Sequence, residues 1–152
     1  MIKLLRTNSD NPDFIELVRQ LDAYLAIVDG DEHAFYNQFN AIGKIKYVVV
    51  AYDQHGQPLG CGAIREYAPG VMEVKRMYTV PQGRGQGTAA RVLAELENWA
   101  AELSCQKCIL ETGQRQTEAI QFYHKNGYSR IPNYGQYAEV DNSVCFEKTI
   151  AA

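Results

Sequence analysis

Residues 81–89 read Pro-Gln-Gly-Arg-Gly-Gln-Gly-Thr-Ala, and they constrain the chain more than any other stretch. A strand-like run, Val71 to Val80, leads into them, and a long amphipathic helical pattern leads out. Gly83, Gly85 and Gly87 alternate with Arg84 and Gln86, so the backbone can turn tightly and leave its N–H groups bare. At a helix start such groups have no partner within the helix and lie at the positive end of its dipole. Backbone of this kind holds a phosphate or a pyrophosphate.

The surrounding pattern narrows the fold. Ile2 to Arg6 alternates as a short first strand. Asn11-Pro12 predicts an N-cap followed by proline at the first helical position, and Phe14, Leu17, Val18, Leu21, Leu25 and Val28 recur at helical spacing. Asp29-Gly30-Asp31 breaks that helix, and Asp31 is placed to cap a second, short one carrying Phe35, Phe39 and Ile42. Tyr47 to Tyr52, Leu59 to Tyr67 and Val71 to Val80 form an antiparallel meander with turns at Asp53–Pro58 and Pro69-Gly70. Strict alternation puts Val71, Glu73, Lys75, Met77 and Thr79 on one face of the third strand and Val74, Arg76, Tyr78 and Val80 on the other.

After the glycines, Val92, Leu93, Leu96, Ala100 and Leu103 make an apolar stripe. Lys107 to Thr112 reads as a strand, and Gln116 to Asn126 as a helix closed by Gly127 in the left-handed conformation. Tyr128 to Ile131 and Val144 to Ile150 are two final strands around a polar loop, Pro132 to Asn142. The order is β-α-α-β-β-β-α-β-α-β-β: an α/β chain with a mixed sheet of six to seven strands and four helices, expected to form one domain over residues 1–152. The strand, glycine loop, helix and strand form a crossover, whose two strands are expected to be parallel.

Several phosphate-binding readings fail here. A P-loop needs Gly-Lys-Ser or Gly-Lys-Thr, and Gly87-Thr88 has no lysine before the threonine. A dinucleotide fold places its glycines after the first strand of a parallel sheet, whereas these follow an antiparallel meander. A formal net charge of -3 gives no reason to expect nucleic acid or an anionic membrane as partner. No apolar run approaches the roughly 20 residues of a membrane span, and Met1 to Arg6 turns polar too soon for a signal peptide. Cys105-Gln106-Lys107-Cys108 has metal or redox spacing but no second pair and no nearby histidine, so it reads as structural, with no metal expected. A cytoplasmic location is the default expectation.

Gln82-Gly83-Arg84-Gly85-Gln86-Gly87 resembles the acetyl-CoA motif of the GNAT superfamily of N-acetyltransferases, Gln/Arg-x-x-Gly-x-Gly/Ala. Pro81 to Gly87 also fits the form Pro-x-x-Arg-Gly-x-Gly. Ala119-Ile120-Gln121-Phe122-Tyr123-His124-Lys125-Asn126-Gly127-Tyr128 is similar to a second motif of that family, Ala-x-x-Phe-Tyr-x-x-x-Gly-Tyr/Phe. The resemblance implies a sheet that splays, with acetyl-CoA laying its pantetheine arm along Met77, Tyr78, Thr79 and Val80. Gln82 and the amides from Gly83 through Thr88 would surround the pyrophosphate, with Arg84 adding charge. Gln116, Ala119, Phe122 and Tyr123 would contact the cofactor; the family often has asparagine where this chain has Gln116. The same resemblance implies Glu73 as the base that deprotonates an amine and Tyr123 as the acid that protonates the leaving thiolate. The plainer readings are a cross-strand ion pair of Glu73 with Lys75 or Arg65, and a core tyrosine.

The implied activity is acetyl transfer from acetyl-CoA to a small amine or a peptide amine in a ternary complex. The acceptor is expected between the first two helices and the late loop, with Asp29, Glu32, His33, Tyr36, Tyr134, Tyr137 and Glu139 suited to a cationic amine. A CoA-binding regulator without turnover, or transfer of another acyl group, is the alternative. Exposed edges among the last strands give a reason to expect a homodimer.

Overall fold

The computed structural model describes residues 1–29 and 44–150. Its elements are β1 (Lys3–Thr7), α1 (Pro12–Asp29), β2 (Tyr47–Tyr52), β3 (Pro58–Ala68), β4 (Val71–Thr79), α2 (Thr88–Glu102), β5 (Lys107–Gly113), α3 (Thr117–Lys125), β6 (Ser129–Ile131) and β7 (Ser143–Thr149). Every expected strand is present, with ends displaced by a residue or two. The expected second helix lies outside the described residues, so three of the four expected helices are seen. Single 3-10 turns occur at Pro81–Gly83 and Gly135–Tyr137.

The seven strands form one sheet in the order β1-β2-β3-β4-β5-β7-β6. β1 to β4 are an antiparallel meander, and β4 pairs with β5 in parallel, as the crossover requires. The Asn11 side-chain oxygen accepts the N–H groups of Asp13 at 2.9 Å and Phe14 at 3.1 Å, so the expected N-cap starts α1. That helix buries Phe14, Leu17, Leu21 and Leu25, while α2 buries Val92, Leu93, Leu96 and Ala100. Val48 to Ala51 of β2 are fully buried, which is why this strand reads as an unbroken apolar run and not as an alternation. All four cysteines are free thiols in the interior, as expected for Cys105 and Cys108.

Two irregularities shape the middle of the sheet. The first is a fork. β4 and β5 pair only at Val71↔Lys107, Met72↔Cys108 and Glu73↔Ile109. Past Glu73 each strand keeps only its outer neighbour, β3 or β7, and a gap opens between them towards the glycine loop.

The second is a bulge. The β3–β4 register passes from Ala63↔Lys75 to Cys61↔Tyr78, so Gly62 faces both Arg76 and Met77. Arg76 takes up the extra residue at φ +59°. Cys61 and Ala63 lie two apart and share a face, so their partners Tyr78 and Lys75 share it too. The strict alternation expected for this strand is therefore wrong beyond Lys75: Tyr78 joins the face of Glu73 and Lys75, and Met77 leaves it. Arg76 and Tyr78 both reach α1, bonding Asp22 at 2.7 Å and Gln20 at 3.3 Å. Met77 turns the other way into the packing of α2, where a Cβ on Gly62 would collide with its sulfur and meet Leu96 Cδ1 at 2.9 Å. Only glycine fits opposite the bulge.

Candidate active site

Two adjoining cavities occupy the fork. The outer one, about 330 Å³, runs between Met77, Tyr78 and Thr79 of β4 and Gln116, Ala119 and Phe122 around α3, with Arg84 and Arg115 at its rim. The inner one, about 110 Å³, is bounded by Glu73, Lys75 and Arg76 of β4, Glu111 and Thr112 of β5, and Tyr137 of the late loop. Leu21, Met77, Gln116, Ala119 and Tyr123 belong to both, so Tyr123 stands at their junction.

The glycine loop reaches the outer cavity through Arg84. Its 3-10 turn uses the N–H of Gly83 on Val80 and that of Arg84 on Pro81, at 2.9 and 3.4 Å. The Thr88 hydroxyl donates to the Gly83 carbonyl at 3.0 Å, and the Gln86 amide to that of Gln82 at 3.0 Å, which fastens the loop to the start of α2. Gly85 and Gly87 hold φ near +77° and +76°, where a side chain is strained although nothing lies within 4 Å of a built Cβ. Among the described residues, the N–H groups of Gly85, Gln86, Gly87 and Thr88 have no protein acceptor. The anion-binding capacity expected from the sequence thus rests on these four amides. Val80 differs from the expectation of a cofactor-facing backbone: its N–H donates to Leu59 and its carbonyl accepts from Gly83, both at 2.9 Å.

Glu73 is 2% exposed. The Tyr134 hydroxyl donates to its Oε2 at 2.6 Å, and Arg65 Nε and Lys75 Nζ each lie 3.9 Å from its Oε1. The ion pairing read from the strand pattern exists, but around a buried carboxylate and not an exposed one. Burial holds the Lys75 ammonium below the usual lysine range, an effect the Glu73 charge opposes. Burial also pushes the Tyr123 hydroxyl up, and Glu111 adds to it, so this phenol keeps its proton well beyond neutrality. Tyr134 and Tyr137 are pushed up in the same way, by burial first and then by Glu73 and Glu111.

The residues expected for an acceptor divide. Tyr137 lines the inner cavity, whereas Tyr134 spends its hydroxyl on Glu73. Glu139 is exposed. Asp29 is the last residue of α1, while Glu32, His33 and Tyr36 lie outside the described residues. Lys75, Arg76 and Glu111 were not expected in the site. The signal was present in the strand pattern, because charged residues inside runs that otherwise bury both faces need a local reason to be there. Among the described residues no cluster of His, Cys, Asp or Glu could hold a metal ion, and no helix is long and apolar enough to cross a membrane.

A forked mixed sheet, with a glycine-turned helix start at its mouth and a buried glutamate and tyrosine within, gives an extended ligand a groove that ends on ionisable groups. The model of the acetyltransferase (GNAT) family matches residues 13–128, and the chain belongs to that family. It is 29% identical over 137 residues to an IAA acetyltransferase of Azospirillum brasilense, covering 90% of each chain. It is 28% identical over 136 residues to an uncharacterised N-acetyltransferase of Escherichia coli, covering 82% of this chain and 80% of that one. Among solved structures, a candidate acyl-CoA N-acyltransferase of Klebsiella pneumoniae matches with a TM-score of 0.83 and 30% identity over 99% of this chain and 98% of the other. A GNAT family acetyltransferase of Elizabethkingia anophelis, solved with acetyl-CoA bound, shares the fold at a TM-score of 0.68 and 16% identity, covering 97% of each chain.

Proposed function

We propose that the protein transfers an acetyl group from acetyl-CoA to a primary amine by direct attack within a ternary complex. The observation that carries this reading is the pair of cavities meeting at Tyr123: one has room for an extended thioester arm, the other ends on a buried carboxylate. The free amides of Gly85 to Thr88 receive the pyrophosphate, with Arg84 beside it. The pantetheine arm lies in the fork against β4, where the strand has lost its neighbour.

An acceptor amine reaches neutral pH mostly as ammonium. Its first proton passes to Glu73, directly or through a water. The nitrogen then attacks the thioester carbonyl, a C–N bond forms and the C–S bond breaks. The proton that the new amide nitrogen sheds balances the one that the CoA thiolate takes up from Tyr123. Burial keeps that phenol protonated until the thiolate forms beside it but also makes it a weaker acid, so its proton passes to sulfur as the amide nitrogen returns one to the phenolate. No acyl-enzyme is invoked, since all four cysteines are buried.

The dimer expected through the last strands would have to form along β6, the open edge, because β7 is paired on both sides. The test of the transfer is a panel of primary amines with acetyl-CoA, read as thiol released and acetyl-amine formed. Release with at least one amine, well above hydrolysis, is the expected result. Tight acetyl-CoA binding with no amine consumed would overturn transfer and leave a CoA-binding regulator.

A further inference from the structure

We propose that the acceptor is an amine that carries a carboxylate close beside it, an amino acid or a molecule ending in one, and that Lys75 reads the carboxylate. The inference rests on the inner cavity being the acceptor end of the transfer above. It replaces the cationic amine expected from the sequence.

The charges around the inner cavity are balanced. The ionisable residues that line it are two cations, Lys75 and Arg76, and two carboxylates, Glu73 and Glu111, together with two tyrosines. Their outer partners keep the balance, with Asp22 on Arg76 at 2.7 Å and Arg65 near Glu73 at 3.9 Å. A wall built for a polyamine or a basic peptide would carry carboxylates in excess. A wall whose charges balance favours a ligand that is itself net neutral with separated charges.

The spacing of the charges fits such a ligand. Lys75 Nζ and Glu73 Oε1 lie 3.9 Å apart on one face of β4, both nearly inaccessible to water. Ordinary bond lengths put the nitrogen and carboxylate oxygens of an α-amino acid about 3 Å apart. An amino acid can therefore lay its ammonium against Glu73 and its carboxylate against Lys75 at once. Burial weakens the hold of Lys75 on its proton, and an arriving carboxylate restores it. Size agrees as well: at about 110 Å³ the inner cavity takes a compact head group, not a stretch of peptide.

The test is equilibrium binding to the CoA-loaded protein, read by calorimetry, with matched pairs: L-alanine against ethylamine, L-serine against ethanolamine, L-phenylalanine against phenethylamine. At least one acid is expected to bind about tenfold or more tighter than its decarboxylated partner, the value of one charge-assisted contact. Lys75→Met should erase that preference while Lys75→Arg keeps most of it, with both variants checked for an unchanged unfolding transition. If Lys75→Met does not fold, the preference in the unaltered protein and its retention in Lys75→Arg still decide. No preference in any pair, or binding of the amines alone, overturns the proposal. Because this readout is binding, its failure is separable from failure of acetyl transfer, which the thiol assay reads independently.

Discussion

Replacing Tyr134 by phenylalanine removes one hydroxyl from beside Glu73 and leaves the ring. The ring holds its place through edge contacts to Tyr67 at 5.1 Å and Tyr137 at 5.9 Å, neither of which needs the oxygen. The bond lost is the 2.6 Å donation to a carboxylate that is 2% exposed, so water does not readily replace it. Hydrogen bonds to charged groups contribute about 1.5–3 kcal/mol. Arg65 and Lys75 remain at 3.9 Å and soften the loss, which places the expected destabilisation at about 2 kcal/mol. For a chain of this size that lowers the melting temperature by about 4–8 °C. The assay is a double-mutant cycle in urea with Tyr134→Phe, Glu73→Met and the pair, followed by the fluorescence of the single tryptophan, Trp99. A coupling of at least about 1 kcal/mol is expected. A coupling below about 0.5 kcal/mol, with unchanged urea slopes, would refute the claim that this hydroxyl holds Glu73.

Gly62→Ala should destabilise by about 1–3 kcal/mol, because Met77, Leu96 and Val92 leave no room for a methyl group opposite the bulge; an unaltered urea midpoint would show that the bulge can relax. Glu73→Gln should lower the turnover number most at neutral pH and below, and full turnover at every pH would remove Glu73 from the role of base. Tyr123→Phe should lower turnover with CoA affinity intact, and an unchanged turnover number would leave this residue as packing only. Stability should fall in alkali. In the unfolded chain thiols ionise near 9.0 and phenols near 10.0, whereas folding raises Cys61 and Cys108 to about 12, Cys145 to about 11, and Tyr123, Tyr128, Tyr134 and Tyr137 as well. Above pH 9 the unfolded state binds fewer protons, so the stabilisation is complete below that pH and is lost as pH rises. Lys75, lowered by burial, acts in the opposite sense but is a single group. Denaturant melts across this range check the slope, and a midpoint that rises with pH above 9 would contradict it.

Much of the fold was legible because local signals agreed. Asn11-Pro12, the apolar run of β2 and the glycines before α2 each state a conformation without help from distant residues. The bulge was not legible, and the fork was expected only through the family resemblance, not from the strand pattern. A strand pattern assumes a partner along its whole length, and nothing in Val71 to Thr79 says that the partner is lost after Glu73. The bulge depends on Gly62, sixteen residues before Tyr78 in the chain, and on the space left by α2. Once Arg76 takes the extra place, every later side chain changes face, so the wall of the cavity could not be assigned by counting in twos. The separate places of Tyr134 and Tyr137 were not legible either, since a loop without periodicity does not disclose which ring reaches a buried carboxylate.

The fork also makes the sheet a gauge of its own occupancy. Only three register pairs join the meander to the half formed by β5, β7 and β6. The edges facing the gap carry backbone amides whose exchange with solvent depends on what lies between them, while amides facing β3 or β7 are sheltered in either state. Hydrogen exchange along residues 74–79 and 110–113 therefore registers any ligand that bridges the halves, whether or not a reaction follows. The backbone reports binding by itself, without a label and without turnover.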